Sequence, residues 1–230
     1  MESEHPPLRR VRSFVRREGR MTAAQRRALE KWWPRYGVEF QDSPLNLARL
    51  FGREAPRILE IGCGMGESLA ALAATHPGND YLAVEVYRPG IGTLLRRLAE
   101  AGLDNVRVIN ADAVAVLERM IPPRSLDAVY LFFPDPWPKK RHHKRRIVQP
   151  PFVALVQGRL RRGGLLHMVT DWPDYAAHMR AVMADAKGFH CLSGGESPGQ
   201  RPAWRPLTKY EQRARRLGHT VCDLVYRCEV

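Results

Sequence analysis

Acid is what this sequence is short of. Its 230 residues hold 24 Asp and Glu against 37 Lys and Arg, a formal charge of +13. From Pro138 to Thr170 there is no Asp or Glu at all. With a pI of about 10.2, the chain is suited to a polyanion, and charge alone leaves RNA, DNA and an anionic membrane surface open. Cysteine is scarce as well. Cys63, Cys191, Cys222 and Cys228 form no CxxC pair and no zinc spacing, so a reduced cytosolic protein without a metal site is the simplest expectation. No apolar run approaches a membrane span, and the charged, polar N-terminus has no signal-peptide core. A cytoplasmic protein with no membrane partner is expected. There is no internal repeat and no low-complexity linker.

The cations that are present are clustered. Residues 1–36 contain nine arginines and Lys31 and read as a basic N-terminal arm, followed by one domain over 37–230. Inside the arm, Thr22 is placed to N-cap a helix to Trp33 that Pro34 would end. From Arg57 onward strands and helices alternate. Apolar runs at 57–61, 81–86, 106–109, 126–133 and 165–169 read as strands. Helical segments follow at 66–75, 90–101, 113–120, 151–160 and 173–186. The tail, His219 to Cys228, alternates like an antiparallel edge strand. Such alternation predicts an α/β fold with a mostly parallel sheet and helices on both faces.

Ligands of such sheets bind at the carboxyl ends of the strands. Glu60, Glu85, Asp112, Asp135 and Asp171 each stand at or just after the end of a predicted strand, so all five belong to one rim. Between the first strand and its helix lies Gly62-Cys63-Gly64-Met65-Gly66, a glycine-rich turn that is weak evidence by itself. A pyrophosphate at this helix N-terminus would meet Glu60 and Glu67. Carboxylates there suit a ligand with cationic groups and no phosphate, and S-adenosylmethionine, with its ammonium, sulfonium and ribose diol, fits. Glu85 could take the ribose hydroxyls and Asp112 the adenine amino group. Glu67 reads more simply as a first-turn helix acid, and Cys63 as a small packing residue.

The most specific stretch is Phe132-Phe133-Pro134-Asp135-Pro136-Trp137, running into Lys139-Lys140-Arg141-His142-His143-Lys144-Arg145-Arg146. Two prolines stiffen the backbone around Asp135. Trp137 offers a face for a nucleobase, and Lys139, Arg141 and Arg145 offer charge for a phosphate backbone.

Together with Glu60–Leu69, Thr170-Asp171-Trp172, Thr208-Lys209-Tyr210-Glu211 and Arg12–Arg17, this block resembles the bacterial tRNA (guanine-N7-)-methyltransferase family over nearly the whole chain. The family often has Phe where Tyr210 stands. The resemblance implies a class I, Rossmann-like S-adenosylmethionine-dependent methyltransferase fold with a seven-stranded sheet. It implies that Glu60, Glu85 and Asp112, with Gly62 and Gly64 of the loop, bind the cofactor, and that Asp135 lies near both cofactor and catalytic centre. It further implies that Lys139, Asp171 and the segment Thr208, Lys209, Tyr210 and Glu211 contact a tRNA substrate. No obligatory protein partner is expected. Other readings of the same residues are a methyltransferase of another RNA or of DNA, a non-catalytic RNA-binding protein, and an NAD-dependent oxidoreductase.

Overall fold

A computed structural model describes residues 19–193 and 201–230, so the Arg12–Arg17 part of the resemblance lies outside the described residues. The elements run α1 (Ala23–Tyr36), β1 (Gly37–Val38), α2 (Leu47–Phe51), β2 (Arg57–Ile61), α3 (Glu67–Thr75), β3 (Asp80–Val84), α4 (Arg88–Glu100), β4 (Val106–Ile109), α5 (Ala113–Arg119), β5 (Leu126–Phe132), a 3₁₀ turn (Lys140–Arg145), α6 (Pro150–Arg159), β6 (Leu160–Thr170), α7 (Pro173–Ala184), β7 (Phe189–Cys191), α8 (Lys209–Arg216) and β8 (Cys222–Cys228).

One sheet takes the order β1-β4-β3-β2-β5-β6-β8-β7. All pairs are parallel except those that β8 makes with β6 and β7. Seven of these strands form the expected sheet, and the two-residue β1 adds an eighth. The tail strand is not an edge as expected. The short β7 covers its outer side, Phe189 standing against Cys228, and three residues are too few to announce a strand in sequence.

Strand residues alternate between two apolar layers. Leu59, Leu82, Val129 and Leu166 face α5, α6 and α7. Ile58, Ala83, Val108 and Tyr130 face α1, α3 and α4. Alternation also fixes Glu60: two residues after Ile58, it shares Ile58's face and stands in register with Ala83 and Tyr130.

Helix α1 begins as expected, with Thr22 and Gln25 closing a capping box. It runs past Pro34, however. In the last turn the missing proline N–H forfeits a single helical bond, and the helix ends two residues later when the Gly37 N–H donates to the Trp33 carbonyl. Helix α1 rests on α4, where Gln25 donates to the Thr93 hydroxyl at 3.2 Å.

The turn from β2 to α3 depends on glycine in two ways. Gly62, Gly64 and Gly66 all have positive φ, at 76°, 56° and 71°, a region costly for residues with a Cβ. At Gly66 a Cβ would also lie 2.2 Å from Leu94 Cδ1 of α4. The loop is thereby pressed onto α4 and held open toward the rim. Strand order reverses at β2, between β3 and β5, which is the topological switch point where such sheets bind ligands.

Candidate active site

Around the switch point a small cleft is lined by Glu60, the glycine loop from Gly62 to Ser68, Phe132 and Phe133 at the end of β5, and Thr208, Lys209 and Tyr210 at the start of α8. Glu60 is 3% exposed, and its Oε2 has no hydrogen-bond partner. Burial, and secondarily the charge of Glu85, push its carboxyl up to about 8. An unpartnered buried carboxyl is costly unless a ligand or a proton compensates it.

Glu85, one residue beyond β3, is held by three backbone donors. Its Oε2 accepts from Gly64 N–H at 2.8 Å, and its Oε1 accepts from Val86 at 2.6 Å and Tyr87 at 2.8 Å. It ties the glycine loop to the rim. Asn110, beyond β4, donates to the Glu85 carbonyl at 2.8 Å, a contact with no signal in the sequence. Asp112 N-caps α5, accepting from Ala115 N–H at 3.0 Å. Glu67 pairs with Arg97 at 3.0 Å, as befits a first-turn acid.

Asp135 is exposed in the loop after β5. The loop is tightly constrained. Phe133 and Trp137, on either side of it, both have positive φ, 51° and 46°, and such strained non-glycine positions persist only where surroundings enforce them. At one end the Phe133 N–H donates to the Val169 carbonyl at 2.8 Å. At the other the restraint comes from Arg146. This residue is 2% exposed, and its Nε donates to the Pro136 carbonyl at 3.0 Å. Its Nη2 pairs with Asp174 at the start of α7, and its guanidinium lies over the Tyr175 ring at 4.8 Å. The last arginine of the cationic run is therefore a brace for the Asp135 loop. Its position in a basic run concealed this.

The rest of the run faces outward. Lys139 and Arg141 are exposed. Arg145 stacks its guanidinium on Trp137 at 5.0 Å, while His142 meets the same ring edge-on. The indole expected to receive a base is thus partly covered by the protein's own side chains. An alternative aromatic surface stands at the cleft, where Tyr210, 52% exposed, stacks on Phe133 at 5.8 Å. Burial first, then the charges of Glu85, Glu67 and Asp135, raise the Tyr210 phenol.

Asp171, directly after β6, has its Oδ2 3.7 Å from His219 Nδ1. In the 208–211 segment the side chains divide. Lys209 and Tyr210 face the cleft and solvent. Thr208 accepts from Glu211 N–H at 3.1 Å and caps α8. Glu211 is 1% exposed and ion-paired to Arg205 at 2.8 Å. Arg205 is wholly buried and also grips Asp223 of β8 with two bonds, at 2.7 and 2.8 Å. Asp223 in turn accepts from His167 Nε2 at 2.7 Å. Burial would raise the Asp223 carboxyl, but the bonds from His167 and Arg205 outweigh it and hold it below its usual range. Burial keeps His167 below its own. A histidine and an aspartate, each inside an apolar strand, were the sequence signal for this network.

Residues 54–224 match a family described as a putative methyltransferase. The tRNA (guanine-N(7)-)-methyltransferase of Hydrogenovibrio crunogenus is 56% identical over 95% of this chain and 91% of its own. That of Alcanivorax borkumensis is 56% identical over 95% and 92%. The chain belongs to the tRNA (guanine-N7-)-methyltransferase family. Among solved structures the fold is similar to the 16S rRNA methyltransferase KamB, with a TM-score of 0.59 at 17% identity over 84% of this chain and 96% of that one. An rRNA methylase from Streptococcus thermophilus has a TM-score of 0.51 at 15% identity over 76% and 88%. These likenesses establish the class I methyltransferase fold.

The residues present fit the cofactor of that family, S-adenosylmethionine. The buried Glu60 oxygen without a partner suits a cationic group, and acids at the cleft disfavour a pyrophosphate. Among the described residues no cluster of His, Cys, Asp and Glu could hold a metal ion, and no helix is long and apolar enough to cross a membrane.

The raised carboxyl of Glu60 predicts a pH effect on stability. In the cofactor-free protein the folded state keeps its proton up to about 8, whereas the unfolded chain releases it near the ordinary value. Stability contributed by this position therefore falls as pH rises from the usual carboxylate range to about 8. Glu60→Gln removes that slope. Thermal melting of both proteins from pH 5 to 9 should give curves that diverge toward pH 8. Each tenfold fall in proton concentration across that window is worth about 1.4 kcal/mol, so the variant should become the more stable by up to a few kcal/mol. Parallel curves would mean that Glu60 is ionised throughout.

Proposed function

We propose that this chain transfers a methyl group from S-adenosylmethionine to N7 of a guanine in the variable loop of tRNA. The observation that carries the reading is the meeting, at one switch-point cleft, of an uncompensated buried acid, the Phe133 end of the braced acidic loop and the cationic Lys209. Kinship with the family supplies the substrate. A cytoplasmic location follows from the substrate. Residues 1–36 are read as a basic arm whose α1 portion rests on the methyltransferase domain at 37–230.

Bound S-adenosylmethionine supplies an electrophilic methyl on a sulfonium centre. Glu60 compensates a positive group of the cofactor and gives up its proton on doing so. Glu85 has about four acceptor sites as a carboxylate. Three are used, which leaves one for a ribose hydroxyl. Asp112, beyond β4, serves the adenine side, and Gly62 and Gly64 allow close approach.

N7 of guanine carries a free lone pair, so no side chain has to remove a proton before transfer. Positioning then supplies most of the rate. Tyr210, backed by Phe133, offers the guanine a ring to stack on. Positive charge arrives on the guanine imidazole as the methyl moves, and Asp135 is the carboxylate to which we assign its stabilisation, or the orientation of the base through its N–H groups. Lys139, Arg141, Arg145 and Lys209 hold phosphates, and Asp171 marks the far side of the same rim. Thr208 and Glu211 act from beneath, by fixing the start of α8.

Mass analysis of nucleosides after incubation with labelled S-adenosylmethionine and bulk unmodified tRNA tests the reading. Labelled 7-methylguanosine in tRNA is expected. Label at another position, or none, would overturn it.

Asp135→Asn keeps the shape and removes the charge. Single-turnover transfer with both substrates saturating should slow about a hundred- to a thousand-fold, by analogy with other electrostatic contacts to a transition state. A near-wild-type rate would make Asp135 a turn residue only.

Arg146→Ala should also slow transfer, because the Pro136 carbonyl loses its brace, and Arg146→Lys should fall between. Neither should alter the salt dependence of tRNA affinity. A changed salt slope would place Arg146 on the RNA instead.

A further inference from the structure

We infer that α8 is a second RNA track, separate from the Lys139–Arg145 run, on which Lys209, Arg213 and Arg216 receive successive phosphates of the strand entering the cleft. The inference rests on the tRNA methyltransferase reading above, which already uses Lys209, and extends it to Arg213 and Arg216, which that reading does not use.

Three observations carry it. The first is spacing. Positions 209, 213 and 216 fall on one face of a helix, and the seven steps between 209 and 216 rise about 10 Å. Its N-terminal end lies at the cleft, where Lys209 is part of the lining and its Nζ approaches Met65 Sδ of the glycine loop at 3.6 Å. The stripe therefore starts beside the cofactor cleft and leads away from it.

The second is uncompensated charge. Lys209, Arg213 and Arg216 are exposed, and among the described residues none has an acidic partner within ion-pair distance. Arg215, off this face, is paired with Glu211 at 2.6 Å. Only Glu211 and Ala214 of the helix are buried, so the element gives its polar surface almost entirely to cations.

The third is rigidity. A loosely attached basic helix is usually a solvated face. This one is fixed to the sheet by the wholly buried Arg205, which joins Glu211 to Asp223 of β8. A capped, anchored helix holds its cations in place before the RNA arrives, which lowers the ordering cost of binding. The chemistry it suits is a phosphodiester strand.

The test compares two double variants of the full chain. Arg213→Gln with Arg216→Gln removes the outer part of the stripe. Lys187→Gln with Arg227→Gln removes the same charge from exposed positions at the opposite end of the sheet, where Arg227 stands against Leu165. Affinity for unmodified tRNA is measured against salt, together with cofactor affinity, thermal melting and formation of 7-methylguanosine at saturating tRNA. In the first variant the slope of log affinity against log salt should shrink by about 1.4 to 1.8, from about 0.7 to 0.9 per lost phosphate contact. Cofactor affinity, melting and saturated turnover should stay at wild-type values. The control should keep the wild-type slope. An unchanged slope in the first variant, or an equal loss in the control, would overturn the track. Absence of 7-methylguanosine with the wild-type protein would instead overturn the underlying activity, so the two failures are distinguishable.

Discussion

Backbone hydrogen bonds from β2 to β3 on one side and to β5 on the other, all in parallel register, bring three strand ends to one edge where the strand order reverses. The polar groups of the site depend on that arrangement. Glu85, Asp112 and Asp135 come from different crossovers, and no local structure would unite them. The parallel ladder delivers them to one rim, and the glycine loop pressed on Leu94 leaves space there. Glu60 is the exception in kind, since it belongs to a strand and points into the layer shared with Ile58 and Tyr130. Its depth is what leaves one oxygen without a partner.

The protein buries charge in two contrasting ways. Around Arg205 every charge has an opposite neighbour: Glu211 and Asp223 flank it, and His167 completes the chain. Removing one partner of such a set is usually far more damaging than the set is stabilising, which makes it a fastener. It ties the N-terminal end of α8 to the sheet and so places Lys209 and Tyr210 at the cleft. Glu60 has no such partner among the described residues. Burial pushes its carboxyl up to about 8, so a proton offsets part of that cost. Arg146 follows the first pattern on a smaller scale, fixing the loop that presents Asp135.

Much of this was legible in the sequence. The strands at 57–61 and 106–109 have the predicted limits, because their apolar runs are bounded by turn residues. Glu85, Asp112, Asp135 and Asp171 follow strand ends that are visible in the sequence as the points where those runs stop, whereas Glu60 lies inside its strand. What escaped reading was pairing over long sequence distances. Arg146 follows five other Lys and Arg side chains and two histidines, and nothing local separates it from Arg145. Glu211 stands beside Tyr210 in one motif, but helical spacing turns one inward and the other outward, toward an Arg205 that only the fold brings near. Pro34 misled because a proline in the last turn of a helix forfeits little. The closing strand is not the edge its alternation predicts, because the three residues of β7 that cover it carry too little pattern to register.

On the proposed reading, Glu60 is the buried counter-charge of the cofactor cleft, held neutral until the cofactor's positive charge arrives. Calorimetry of S-adenosylmethionine binding at pH 7, repeated in buffers of different ionisation enthalpy, counts the protons exchanged. Wild-type protein should release close to one proton more per cofactor bound than Glu60→Gln, and the variant should bind more weakly. Equal proton counts for the two proteins would contradict the account.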